Sequence, residues 1–580
     1  MQEAEQCLQE QWVHLAILDI RLEDDHDEKD ISGLQLAQAP AYRALPKIIL
    51  TSYATVEAAR AALGPALGSS APAVNFLRKD EGAQAMIAAI EEALAHHVRI
   101  NWDLVLRRQP HQPLTGAYLV ACMQPHVAGE RLLQRADELE DLLRRLFYDY
   151  SQLTLERLLW HDAGQVAFLV VAFQAGALPA SFVVVCGEPS PMAAAAEHYQ
   201  RYAPHAMGAT STVLSLQATT LHFVAHAYTL ANADLEQVQP LSEVYRLGSA
   251  KACDEALAGL LQHTLAAWHH DSRIPDTERT LDTIYRERLH WPPDALQQGA
   301  ARLQALLPQV RALGLEITHA AGQLTVHVAG VTYTYPEPLA VLSQPAALGQ
   351  PVLLTHTPGR LTGENILADT QGRTWLSDFA EAGLAPWLWN VVALEAIMRF
   401  DWVEPGDLAR LHDMEQHLTD APFNTLELRQ IEPSLRKPVR ALQTLRRLAV
   451  PLVGTEMPSY ILGLAFQAAT RFLRCDPTVQ WTRREIIRLT HALLAAAMLC
   501  GKLGHSQAQT PTSAPDATGL KLDHTSRTVW VHGVRSSPAR AMICCTICIR
   551  TRSRCAPGRN WWSRSWSCAT TRRTAVKSVV

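Results

Sequence analysis

Gly359-Arg-Leu-Thr-Gly-Glu-Asn365-Ile-Leu-Ala-Asp369 and, after three intervening residues, Arg373-Thr-Trp-Leu-Ser-Asp378-Phe-Ala380 form the stretch whose reading decides the fold. The first segment runs through a turn into a short apolar strand, and the second is an alternating strand that ends at an aspartate. An Asn and an Asp on neighbouring strand ends suit a Mg²⁺ held over nucleotide phosphates, because hard cations take oxygen ligands. Upstream, Val166–Phe173 and Ser181–Gly187 read as two buried strands around a turn, since Gln174, Gly176 and Pro179 break the apolar run between them. A helix with one glutamate, Glu197, follows. Leu315-Glu-Ile-Thr-His, Leu324-Thr-Val-His-Val and Val331-Thr-Tyr-Thr-Tyr read as a small β insert near 312–336, with Gly322 and Gly330 at its turns.

Residues 126–504 resemble the aminoglycoside and choline kinase group, particularly its bacterial ternary-complex-associated members, and Gly359 to Asp378 is the most specific part. The resemblance implies a two-lobed kinase-like domain, Asn365 and Asp378 as Mg²⁺ ligands, and ATP as the nucleotide. It also exposes departures. The family's catalytic aspartate, expected in Gly-Asp-Leu, is Arg360 here, and the strand lysine expected near Val185 is absent from Val183-Val-Val-Cys-Gly187. Asn390 stands where the family often has aspartate. Without a base for the acceptor hydroxyl or a lysine for the phosphates, catalysis should be lost or nearly so, and a pseudokinase that senses nucleotide or a partner is expected. The alternative is an active kinase acting on a small molecule or protein, and the residue between Gly359 and Leu361 discriminates them.

Toward the N-terminus, Val13–Asp19, Ile48–Thr51 and Val74–Lys79 alternate with helical stretches at Ser32–Gln38, Thr55–Leu67 and Gly82–His96. Such alternation predicts a parallel sheet with its chemistry at the carboxyl ends of its strands, where Asp19, Thr51 and Lys79 fall. Residues 1–97 resemble part of a response-regulator receiver domain, a flavodoxin-like, doubly wound fold. The resemblance implies Asp19 as phosphoacceptor, Thr51, Phe76 and Lys79 as switch residues, and a sensor histidine kinase as partner. The strand whose acidic pair binds Mg²⁺ is missing, which predicts weak phosphorylation.

After a Gln/Thr/Ser/Pro/Ala linker at 505–518, residues 519–534 read as a hairpin turning at Asp523–Ser526 and resemble the start of a winged-helix output domain, implying DNA as a partner of an intact parent. Residues 535–580 read as a frameshifted tail. From Val531 to Val580 there are ten Lys/Arg and no Asp or Glu, leaving 42 basic against 57 acidic residues upstream. That tail also holds five of the eleven cysteines. Non-specific nucleic-acid binding and a zinc site at Cys545 and Cys548 are the alternatives there, and a damaged gene is an alternative for the whole chain.

The 580 residues, 48% hydrophobic and 19% charged with a mean hydropathy of −0.04, fit a globular chain of about four domains. The expected class is multidomain α/β and α+β, with 98–125 as a linker and a further linker helix from Gly129 to Trp160. Met1–Glu5 has neither a basic start nor an apolar run, which predicts a cytoplasmic chain without a membrane partner. The sequence reading is thus a phosphorelay response regulator, ancestrally a phosphorylation-controlled transcription regulator.

Overall fold

The computed structural model describes residues 1–508, apart from segments at 25–26, 28, 43–44, 53, 65–70, 113, 163, 207, 270–272, 345–350 and 477–479, and three short strands beyond. The chain divides into two compact units, Met1–His505 and Ser506–Val580. In the first unit, β1 (Ala16–Asp19), β2 (Lys47–Thr51) and β3 (Asn75–Arg78) form a parallel sheet in that order. Helices Ser32–Gln38, Val56–Leu63 and Gly82–His96 follow the three strands. Gly33 is required by close approach, because a Cβ there would lie 1.8 Å from the Asp19 carbonyl oxygen. Strand order follows chain order, and the sheet is covered on both sides: Ile49 packs with Leu34, Ala37 and Ala62 of the first two of these helices, and Ile48 and Leu77 pack with Ala89 and Ala93 of the third.

The layer docks on the helix Glu130–Leu146, whose Asp141 accepts hydrogen bonds from Trp12 Nε1 (2.8 Å) and pairs with His14 Nε2 (2.7 Å). That helix covers a six-stranded sheet made of β4 (Val105–Arg108), β5 (Gln152–Asp162), β6 (Gln165–Phe173), β7 (Ala180–Gly187), β8 (Thr212–Thr219) and β9 (Val224–Leu230), in the order β4-β5-β6-β7-β9-β8. Two expectations fail at this sheet. Residues 98–125 are not a linker: they supply β4 and the helix Gly116–Met123, whose Leu119, Val120 and Met123 are buried. The helix expected to reach Trp160 ends at Leu146, and β5 follows. Register shifts between Leu155 and Arg157 and between Leu158 and Trp160 interrupt the two-residue alternation of β5, which hides the strand in the sequence.

Side chains alternate cleanly on the central strands. Val166, Phe168, Val170, Val184 and Cys186 pack beneath the helices, whereas Ala167, Leu169, Val183 and Val185 face the other way into a second core. Both faces are buried, which is why Ala167–Gly187 reads as nearly continuous apolar sequence.

That second core is shared with the carboxyl-terminal part of the unit. The chain first lays down β10 (Gln239–Pro240) and β11 (Ile274–Asp276). An antiparallel trio follows, β12 (Glu316–Ala320), β13 (Gln323–Val328) and β14 (Val331–Pro336), and then β15 (Val352–Thr357), β16 (Ile366–Ala368), β17 (Thr374–Leu376) and β18 (Gly383–Pro386). Strands β10-β16-β17 and β11-β15-β18 form two small sheets, and helices make up the rest. The unit is therefore a mixed α/β body with a sheet lobe and a mainly helical lobe. One stretch, Arg483–Leu503, is long and apolar enough to cross a membrane, but 83% of it is buried inside the protein.

The helical lobe closes around a charged centre. Glu395, Arg399 and Glu415 are fully buried, with Arg446 and His491 nearly so. Arg399 pairs with Glu395 (3.2 Å) and Glu415; Arg446 donates to Glu395 (2.7 and 3.1 Å), as does Tyr460; and His491 pairs with Glu415 (2.8 Å). These residues come from five helical segments, so each carboxylate is satisfied only when the segments are assembled.

In the second unit, β19 (Lys521–Asp523), β20 (Thr528–Val531) and β21 (Val534–Ser536) make an antiparallel sheet with Lys521 opposite Trp530 and Val531 opposite Val534. The expected hairpin thus gains a third strand that passes the boundary set at 534. Residues 537–580, and with them Cys545 and Cys548, lie outside the described residues.

Removing one partner of a buried network strands the others without solvent, so Arg399→Met should cost about 3–5 kcal/mol in urea unfolding. Burial alone would raise the Glu415 carboxyl, but Arg399 and His491 outweigh it and hold it at about 2. A depressed carboxylate contributes stability present above its ordinary value of 4.5 and lost as pH falls toward 2. The acid limb of a stability-against-pH curve should therefore be shallower in Glu415→Gln than in the parent chain.

Candidate functional site

The turn between β15 and β16 is built by its own side chains. Thr357, the last residue of β15, donates to Asn390 Oδ1 (2.7 Å) and accepts from the Gly359 amide (3.3 Å). Gly359 has φ +111, and a Cβ would lie 2.6 Å from the Glu381 backbone, so only glycine fits. Trp389 Nε1 donates to the Gly359 carbonyl (3.4 Å). Asn390, in turn, donates to His269 Nε2 (3.0 Å), whose pKa burial pulls down to about 4, keeping the imidazole an acceptor at neutral pH. This framework sends Arg360 toward the sheet lobe, where its Nη2 donates to Asp162 at the end of β5 (2.6 Å).

Asn365 closes the same turn. Its Oδ1 accepts from the Thr362 amide (2.9 Å), its Nδ2 donates to the Arg360 carbonyl (2.8 Å), and its own carbonyl accepts from Ser377 (3.1 Å). Asp378 follows β17, accepts from the Ala380 amide (3.0 Å), and hydrogen-bonds with Asn365. Burial raises the Asp378 pKa, and the Arg360 charge opposes that rise. The structure thus brings Asn365, Asp378 and Arg360 together. These residues do not fit a divalent cation well: the amide oxygen of Asn365 is spent on the turn, and a guanidinium lies within electrostatic reach of Asp378. Among the described residues, no three His, Cys, Asp or Glu side chains converge as a metal site.

The surface of the sheet lobe that faces Asp378 is apolar. Val185 lies opposite His226 on β9, and burial lowers the pKa of His226 to about 4, so neither of these two residues offers phosphate a cation. Trp160 is buried there and donates to Ser377 Oγ (3.0 Å), while Tyr199 and Tyr228 pack on Phe379. Arg157 donates to the carbonyls of Leu235 and Val238 in the connection between the lobes. Glu197 is exposed and faces away; its neighbour His198 instead bonds the Ala380 carbonyl (2.7 Å). Arg157, Trp160 and Asp162 were not legible as site residues, because their partners lie roughly 80 to 220 positions away in the chain.

At the other candidate site, Asp19 pairs with Lys79, and its second oxygen accepts from the Arg21 amide (3.3 Å). Thr51 is buried at the end of the intervening strand, and Phe76 packs in the core of that layer. Asp19, Thr51 and Lys79 lie at the carboxyl ends of the three strands, and Phe76 sits further in, opposite Ile49.

No family model matches the chain, and no curated protein matches it. Among solved structures, it is similar to a thermostable mutant of the aminoglycoside phosphotransferase APH(4)-Ia in a ternary complex with ADP and hygromycin B, at 14% identity, over 58% of this chain and 98% of that one, with a TM-score of 0.25. It is also similar to the choline kinase LicA from Streptococcus pneumoniae, at 10% identity, over 57% of this chain and 89% of that one, again with a TM-score of 0.25. Likeness at this level assigns no activity or substrate. The reading as a two-component response regulator and DNA-binding transcription regulator is corrected: the solved structures similar to this chain have a kinase-like fold.

The pair Arg360–Asp162 is half exposed at both ends. Such pairs contribute about 0.2–1 kcal/mol, so a double-mutant cycle of Arg360→Ala and Asp162→Ala should return a coupling in that range that shrinks with salt. A coupling near zero at low salt would mean that the two lobes are not held together there.

Proposed function

We propose that residues 126–504 act as a phosphotransferase-like domain of the aminoglycoside and choline kinase type, directed at a small molecule or a segment of another protein, with the transfer step lost or nearly so. Arg360 carries this reading. Where the resemblance calls for a carboxylate to take the acceptor's proton, the chain presents a cation that cannot act as a base and that is paired with Asp162. Val185, neutral His226 and Trp160 support the same conclusion, since none of these three side chains carries a charge that would offset phosphate.

An active kinase is the second reading, favoured by the strand pairing of β16 with β17, which brings Asn365 and Asp378 to one end. Transfer of labelled γ-phosphate from ATP to water, choline, hygromycin B or the chain itself is expected at background level. Transfer above background that disappears in Asp378→Ala would establish the active kinase instead.

A further inference from the structure

Beside the turn that carries Arg360 lies a cavity of about 210 Å³ whose lining includes Arg288, Arg360, Arg471 and Arg474 against two carboxylates, Glu381 and Asp401. We propose that this cavity binds a phosphate-bearing small molecule, a phosphomonoester dianion, through these four arginines. The inference goes beyond the function proposed above and needs neither nucleotide nor transfer.

Each guanidinium is differently placed. Arg288 ends the helix Leu281–Arg288, lies over the Trp389 ring (5.0 Å), and donates to the carbonyls of Leu384 and Glu381 (2.9 Å each). Those bonds fix its plane and leave its Nε buried without a partner. Arg471 donates to both oxygens of Asp401 (3.2 and 2.9 Å), so that carboxylate is already taken. Arg360 meets Asp162 through one nitrogen. Arg474 stands at the rim, its amide bonded to the Thr470 carbonyl (3.0 Å), and its guanidinium makes no hydrogen bond or ion pair among the described residues. The protein packed around it, with the like charges of Arg360 and Arg471, lowers its pKa.

Asp162 already offsets Arg360 and Asp401 offsets Arg471, which leaves Arg288 and Arg474 against the single carboxylate Glu381, and a phosphate dianion offsets the remaining positive charge. A cationic acceptor would instead add to it. Guanidiniums arriving from three separate chain segments suit the tetrahedral oxygens of a phosphate better than the planar fork of one carboxylate.

The test is calorimetric titration of the full chain at low salt with glycerol 3-phosphate, inorganic phosphate and acetate. Glycerol 3-phosphate should bind at least about tenfold more tightly than acetate, and Arg474→Gln or Arg360→Gln should each weaken it about tenfold or more. Arg484→Gln, which removes an exposed arginine outside the cavity, should leave it unchanged. Inorganic phosphate binding as tightly as the ester, with the same arginine dependence, upholds the phosphate site and makes free phosphate its occupant. Absence of saturable binding, acetate binding equally well, or equal loss in Arg484→Gln overturns the proposal. Phosphoryl transfer by the chain would undo the function proposed above and leave these binding outcomes as they stand.

Discussion

Glu395 is the carboxylate on which the helical lobe depends. Fully buried, it receives Arg399, Arg446 and Tyr460 at once, and Arg399 carries the connection on to Glu415 and His491. Charges removed from water are stable only in a complete set, so the network enforces one arrangement of its helices rather than adding stability for its own sake. The helix that bears Glu395 begins with Trp389 and Asn390, and these two hold Gly359 and Thr357. A buried ion network thereby fixes the entry to the turn that presents Arg360.

From that turn the consequences run in two directions. Toward the sheet lobe, Arg360 meets Asp162, and the surface behind it is filled by Trp160, Val185 and neutral His226, an apolar face where a nucleotide's phosphates would need cations. Toward the helical lobe, Arg360 joins Arg288, Arg471 and Arg474 around a cavity. One substitution of charge at one position removes the base and completes a basic pocket.

The sequence made part of this legible. Asn365 and Asp378 stand out because turn residues followed by short alternating strands need no long-range information, and β16 and β17 form where that pattern lies. The trio β12–β14 is equally plain, with positive-φ residues at Ala321, Gly322, Ala329 and Gly330 making its two turns. The role of Asn365 was harder: its residue type suits a metal or a turn equally, and only its bonds to Thr362 and Arg360 decide for the turn. β5 was hidden by bulges, and β4 by its brevity at a sheet edge. The arginine cavity gave no local signal at all, because its members span positions 288 to 474 and meet only after the helical lobe has closed.

A crystal structure of the chain grown with Mg²⁺, ATP and glycerol 3-phosphate bears most directly on the central claim that anionic ligands go to the arginines and not to the Asp378 face. The account predicts phosphate density within hydrogen-bonding distance of Arg360 and Arg474, with Trp160 still bonded to Ser377. A metal-bound triphosphate between Asn365 and Asp378, with Trp160 displaced and Arg360 released from Asp162, would contradict it.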